Sequence, residues 1–125
     1  MIYGIGTDII AVGRIEAALS RFGDKFAQRI LAPEEWDDFA ASAHRARFLA
    51  KRFAAKEAFA KAIGTGMRYP VTWQNINVTH DDLGRPGFGL APELAENLLQ
   101  RNIRSHHLSI SDEAEMVVAF SVLEQ

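Results

Sequence analysis

The chain has no cysteine. That absence excludes a disulfide framework, a thiolate nucleophile and a cysteine-type zinc site. No apolar run is long enough to cross a bilayer, so a membrane partner is not expected. Charge of one sign is also scarce: the net charge of −2 gives no general attraction to nucleic acid, and anion binding has to come from local clustering. Several motifs are missing as well. No G-x-S-x-G elbow accompanies His107 and Ser109. The histidines lack H-x-x-x-H or H-E-x-x-H spacing, and His106 and His107 would point to opposite faces of a strand. No G-x-G-x-x-G precedes a helix, and Met67 follows Gly64-Thr65-Gly66 where a Walker loop needs lysine. Met1 leads directly into Ile2-Tyr3-Gly4-Ile5-Gly6, without a basic leader or a cleavable apolar segment, so a cytoplasmic location is expected.

What is present suits one compact domain over residues 1–125, with 48% apolar residues and an ordinary 24% charged. Residues 2–10 read as a strand, with Gly4, Gly6 and Asp8 on one face and Tyr3, Ile5 and Ile9 on the other. Two glycines ahead of an aspartate suggest an open floor for a ligand, or else a strand end with a solvated carboxylate. Residues 12–30 read as one helix on the spacing of Ile15, Leu19, Phe22 and Phe26. On that helix Arg21 and Lys25 fall within about 20° of Arg14, and Arg29 extends the stripe. Such a stripe is either a solvated face or a dock for an acidic partner.

Pro33-Glu34-Glu35 opens a short helix to about Ala41, with carboxylates at the positive dipole end. A long helix over 46–63 follows a loop that carries His44 and Arg45. Arg52 and Lys56 fall within its apolar sector. They either snorkel over the core or reach an anionic ligand or subunit boundary. Strands are expected over 73–80, 87–90, 106–111 and 116–123, with a turn at Asp81–Pro86 and a helix from Pro92 to about Gln100 or Arg101. The class is α+β, a small antiparallel sheet packed with helices.

The segment Phe53–Gly66, FAAKEAFAKAIGTG, carries the chemistry. Taken alone, Glu57 and Lys61 make a helical i,i+4 pair worth a few tenths of a kcal/mol (about 0.2–0.5), and Gly64 makes a helix stop. Joined to Asp8, Glu57 becomes half of an oxygen-ligand pair. Magnesium commonly takes one or two carboxylates and fills its remaining positions with substrate phosphate and water. That set fits a diphosphate-bearing substrate.

These pieces, in order, resemble the small bacterial holo-acyl-carrier-protein synthases of the phosphopantetheinyl transferase superfamily. The resemblance runs through Gly4-Ile5-Gly6-Thr7-Asp8-Ile9, Arg29-Ile30-Leu31, Glu34-Glu35, and the block Arg52–Gly66, where it is most specific. Gly84-Arg85-Pro86 and His107-Leu108-Ser109-Ile110-Ser111 complete it. It implies transfer of 4′-phosphopantetheine from coenzyme A to a serine of apo-acyl carrier protein, releasing 3′,5′-ADP. It further implies Asp8 and Glu57 as Mg2+ ligands, and Lys61 as a phosphate contact that stabilises the leaving group. Glu57 would also orient a water that accepts the serine proton. Gly64, Thr65 and Gly66 would admit the pantetheine and diphosphate, and Arg45, Arg52, His107 and Ser109 would contact the nucleotide phosphates. Arg14, Arg21, Lys25 and Arg29 would receive the acidic carrier, in a homotrimer with active sites between subunits. Asp112 stands where such sequences often have histidine and receives no role. Two rivals use the same residues: a magnesium-dependent nucleotide phosphohydrolase, and a non-catalytic domain for an acidic partner.

Overall fold

The computed structural model describes all 125 residues. Strand β1 (Ile2–Ala11) leads into α1 (Val12–Phe22) and α2 (Asp24–Ile30), then a 3₁₀ turn (Pro33–Glu35) and α3 (Trp36–Ala41). The long α4 (Arg45–Ile63) is followed by the hairpin β2 (Ile76–His80) and β3 (Pro86–Leu90), by α5 (Pro92–Gln100), and by β4 (Ser105–Asp112) and β5 (Met116–Glu124). The strands form two antiparallel sheets, one in the order β1-β5-β4 and one made of β2 and β3. The class is α+β, as the sequence indicates.

Helix α4 is the centre of the molecule. Ala54, Ala55, Ala58, Phe59 and Ala62 are buried in the main apolar cluster with Val117, Ala119 and Leu123 of β5. Its small residues let the helix lie unusually close to the sheet. A Cβ on Gly4 would sit 2.0 Å from the Ala62 carbonyl oxygen, and one on Gly6 would sit 2.0 Å from that of Ala58. The glycine floor expected to receive a ligand is therefore occupied by α4. Glycine is needed there because no side chain fits between the strand and the helix.

The single helix expected over residues 12–30 is two. Gly23 adopts φ 63°, ψ −146°, a region closed to residues with a Cβ, and it breaks the helix there. Apolar spacing continues through the break because both helices pack on the same core, so periodicity alone does not register the turn. At the other end of the site, Gly64 caps α4 in the left-handed region (φ 89°), its N–H donating to the Ala60 carbonyl.

Candidate active site

Strand β1 and helix α4 run antiparallel, Gly4 against Ala62 and Gly6 against Ala58. That approach places Asp8 beside the helical turn that carries Glu57 and Lys61. Lys61 Nζ donates to Asp8 Oδ1 at 3.1 Å and to the Thr7 carbonyl at 2.9 Å. Asp8 Oδ2 is buried and has no hydrogen-bond partner. Burial pushes the Glu57 carboxyl up from its ordinary range, and the Asp8 charge adds to this while Lys61 opposes it. Two carboxylates thus share one ammonium, which leaves excess negative charge and an orphaned acceptor. No three His, Cys, Asp or Glu side chains cluster anywhere, so a cation here would need oxygen ligands from substrate and water. The donor set fits magnesium.

Arg52 and Lys56 require a correction. The anion that both side chains reach is Glu35 of the same chain. Lys56 and Glu35 are 0% and 1% exposed, and their Nζ and Oε1 atoms are 2.6 Å apart. Lys56 Nζ uses its two other donors on the carbonyls of Ile30 and Trp73, at 2.7 and 2.9 Å. Glu35 Oε1 also accepts from Ala32 N–H at 2.8 Å, and Oε2 accepts from Val78 N–H at 3.0 Å. Arg52 donates to Glu35 Oε2 at 3.3 Å and to the Val78 carbonyl, with its guanidinium 4.5 Å from the Phe48 ring centroid. Glu35 is not a solvated helix-opening carboxylate but the hub of this buried charge cluster. The signal that points to it is two cations on an apolar helix face, which demand a buried anion.

Arg45 lies elsewhere, paired with Asp24 at 3.2 Å and stacked 4.3 Å from the Phe39 ring centroid. Asp112, which had no role, holds Arg47 at 2.9 Å and Lys51 at 3.5 Å, and Arg47 also donates to the Glu113 and Ala114 carbonyls. These bonds tie the β4–β5 turn to α4. Gly64, Thr65, Arg68 and Arg101 line an open pocket of about 440 Å³ beyond the helix end.

His107 and Ser109 are not brought to Asp8 within the chain. Ser109 stands opposite Phe120, and Phe120 opposite Thr7, so all three share the outer face of the sheet. Asp8, one residue on, points to the inner face against α4. His107 and Ser109 instead line a cleft of about 560 Å³ with Thr79, Arg85 and Pro86. The outer face between them and β1 is apolar and exposed, with Ile5, Ile9, Val118 and Phe120. Arg14, Arg21, Lys25 and Arg29 are all exposed, and none forms an ion pair. The break at Gly23 divides them into two pairs on two helices.

Residues 4–120 match the model of the 4′-phosphopantetheinyl transferase superfamily. The chain is 57% identical over its full length, and the full length of the relative, to a holo-acyl-carrier-protein synthase of Nitrosomonas europaea. A crystal structure of holo-acyl-carrier-protein synthase from Neisseria meningitidis superposes with a TM-score of 0.97 at 50% identity, covering 100% of each chain. The Helicobacter pylori holo-acyl-carrier-protein synthase in complex with coenzyme A superposes with a TM-score of 0.83 at 31% identity, covering 96% of this chain and 99% of that one.

Proposed function

The chain belongs to the 4′-phosphopantetheinyl transferase superfamily, and from that premise we propose how its residues carry the reaction. It is a transferase that moves 4′-phosphopantetheine from coenzyme A to a serine of apo-acyl carrier protein. The serine oxygen bonds to the pantetheine-side phosphorus, the bond from that phosphorus to the bridging oxygen breaks, and 3′,5′-ADP leaves. The observation that carries this reading is the buried, unpartnered Oδ2 of Asp8 beside Glu57 and Lys61.

Asp8 and Glu57 would hold Mg2+, which when bound supplies neutralising charge to the diphosphate. Lys61, exposed and already at Asp8, would meet the phosphate and stabilise charge on the leaving oxygen. Glu57 would also orient the water that accepts the serine proton. Gly64, Thr65 and Gly66 present backbone without bulky side chains at the end of α4, where the pantetheine and diphosphate would pass. Positioning does much of the remaining work in phosphoryl transfer.

A homotrimer supports the arrangement of the other contacts. Within one chain His107 and Ser109 lie on the opposite sheet face from Asp8. Covering the exposed Ile5, Ile9, Val118 and Phe120 with a second copy would set its β4 beside β1 of the first, the strand that carries Asp8. His107, Ser109 and Arg45 would then contact the nucleotide phosphates. Arg52 is withdrawn from that set because Glu35 engages it. Arg14, Arg21, Lys25 and Arg29, unpaired and exposed, would dock the acidic carrier. No helix is long and apolar enough to span a membrane, and we place the reaction in the cytoplasm. The test is mass spectrometry of apo-acyl carrier protein incubated with the chain, coenzyme A and magnesium. A gain of one phosphopantetheine is the expected result, and its absence overturns the reading.

A further inference from the structure

Glu124 of β5 stands opposite Ser105 and diagonally across from His107 of β4, on the outer face of the three-stranded sheet. Its Oε1 lies 2.6 Å from His107 Nε2 and accepts from Ser105 Oγ at 3.3 Å. The bond from His107 holds the Glu124 carboxyl below its ordinary range. Both residues sit on paired strands rather than loops, and Arg104 N–H donates to the Glu124 carbonyl at 2.7 Å. His107 also lines the cleft with Thr79, Arg85, Pro86 and Ser109, and no carboxylate lines that cleft.

An imidazole has two nitrogens with separate roles, and a partner on one fixes the ring and defines what the other offers. With Nε2 held by Glu124, Nδ1 is the atom left for a ligand. When the ring carries a proton, Nδ1–H is a donor and the carboxylate compensates the charge at the far nitrogen. We propose that Glu124 is a positioning residue: it holds His107 so that Nδ1 faces the anionic groups of coenzyme A in the cleft beside Arg85. The proposal rests on the reading of His107 as a coenzyme A contact. Preorganisation of this kind strengthens binding by removing the ordering cost of a mobile ring.

The test measures coenzyme A binding by calorimetry and transfer by steady-state kinetics, using the full chain. Glu124→Ala should weaken coenzyme A binding about tenfold, the loss of one charge-assisted hydrogen bond, with kcat changed less than about twofold. His107→Ala should weaken coenzyme A binding by a similar factor, and the double variant should be no worse than His107→Ala alone. Glu124→Gln, whose amide oxygen still accepts from Nε2–H, should recover most of the affinity. Nitrogen NMR on the unmutated protein gives an answer independent of variant folding: coenzyme A should shift the His107 Nδ1 resonance far more than Nε2. Multiplying effects in the double variant, unchanged binding in either single variant, or a shift at Nε2 would each overturn the proposal. Binding without transfer would overturn the transferase reading and leave the Glu124–His107 comparison decisive. No binding of coenzyme A would overturn both.

Discussion

Lys56 Nζ lies 2.6 Å from Glu35 Oε1, with both side chains closed to solvent, and this contact joins α4 to the 3₁₀ turn 21 residues earlier. Removing the lysine leaves Glu35 Oε1 and the Ile30 and Trp73 carbonyls without their buried donor, while Arg52 remains on Oε2. Lys56→Met is expected to cost about 3–5 kcal/mol in denaturant unfolding. Adding Glu35→Gln should deepen the loss, because it leaves the buried Arg52 without its carboxylate.

The same contact makes stability depend on pH in a defined direction. Burial lowers the Lys56 pKa to about 8 despite the attraction of Glu35. Between about 8 and the unfolded value of 10.5 the unfolded chain binds the extra proton, so stability rises with pH across that window. Denaturant midpoints of the unmutated chain, taken relative to Lys56→Met, should climb from pH 8 to 10.5. A flat difference would show that the lysine titrates as an ordinary one.

Gly6→Ala puts a methyl group 2.0 Å from the Ala58 carbonyl oxygen. Backbone has to move, at a cost of about 1–3 kcal/mol. Because the same approach sets Asp8 against Glu57 and Lys61, transfer should fall more than stability does. Thermal melts and initial rates on the same sample measure both, and a variant with normal rates would detach the site from the glycine contact.

Glu57→Gln should abolish transfer while leaving the fold intact or slightly firmer. The carboxyl is already disfavoured by burial and by Asp8, and a neutral amide relieves both. A chelator should likewise stop turnover, with magnesium restoring it. Normal turnover in Glu57→Gln would remove this residue from the site.

Arg14→Glu should raise the Michaelis constant for the carrier about tenfold and flatten its salt dependence, with coenzyme A affinity spared. The arginine is exposed and has no carboxylate partner. An unchanged carrier constant would show that this face stays solvated during turnover.

Sedimentation should give a trimer, and Phe120→Glu on the exposed outer sheet face should shift it to monomer with loss of coenzyme A binding. A monomeric chain with full activity would refute assembly across this face.

Much of the site was legible without coordinates because its determinants are local. Glu57, Lys61 and Gly64 follow one another on a single helix and its cap, where spacing dictates which side chains meet. Strand alternation alone puts Gly4, Gly6 and Asp8 on one face. The amino-acid order therefore determined the class, the long helix, the carboxylate pair and the exposed basic residues of the first two helices. It did not determine what covers the glycines, because that depends on which helix packs on β1. Nor did it reveal Glu35 as the partner of Lys56 and Arg52, or Glu124 as the partner of His107. Those pairings join residues 17 to 21 positions apart, and only chain reversal and strand register bring them within hydrogen-bond distance. Tertiary structure decided them because long side chains offer many partners along a sequence: burial selected Glu35 for Lys56 and Arg52, and strand register selected Glu124 for His107.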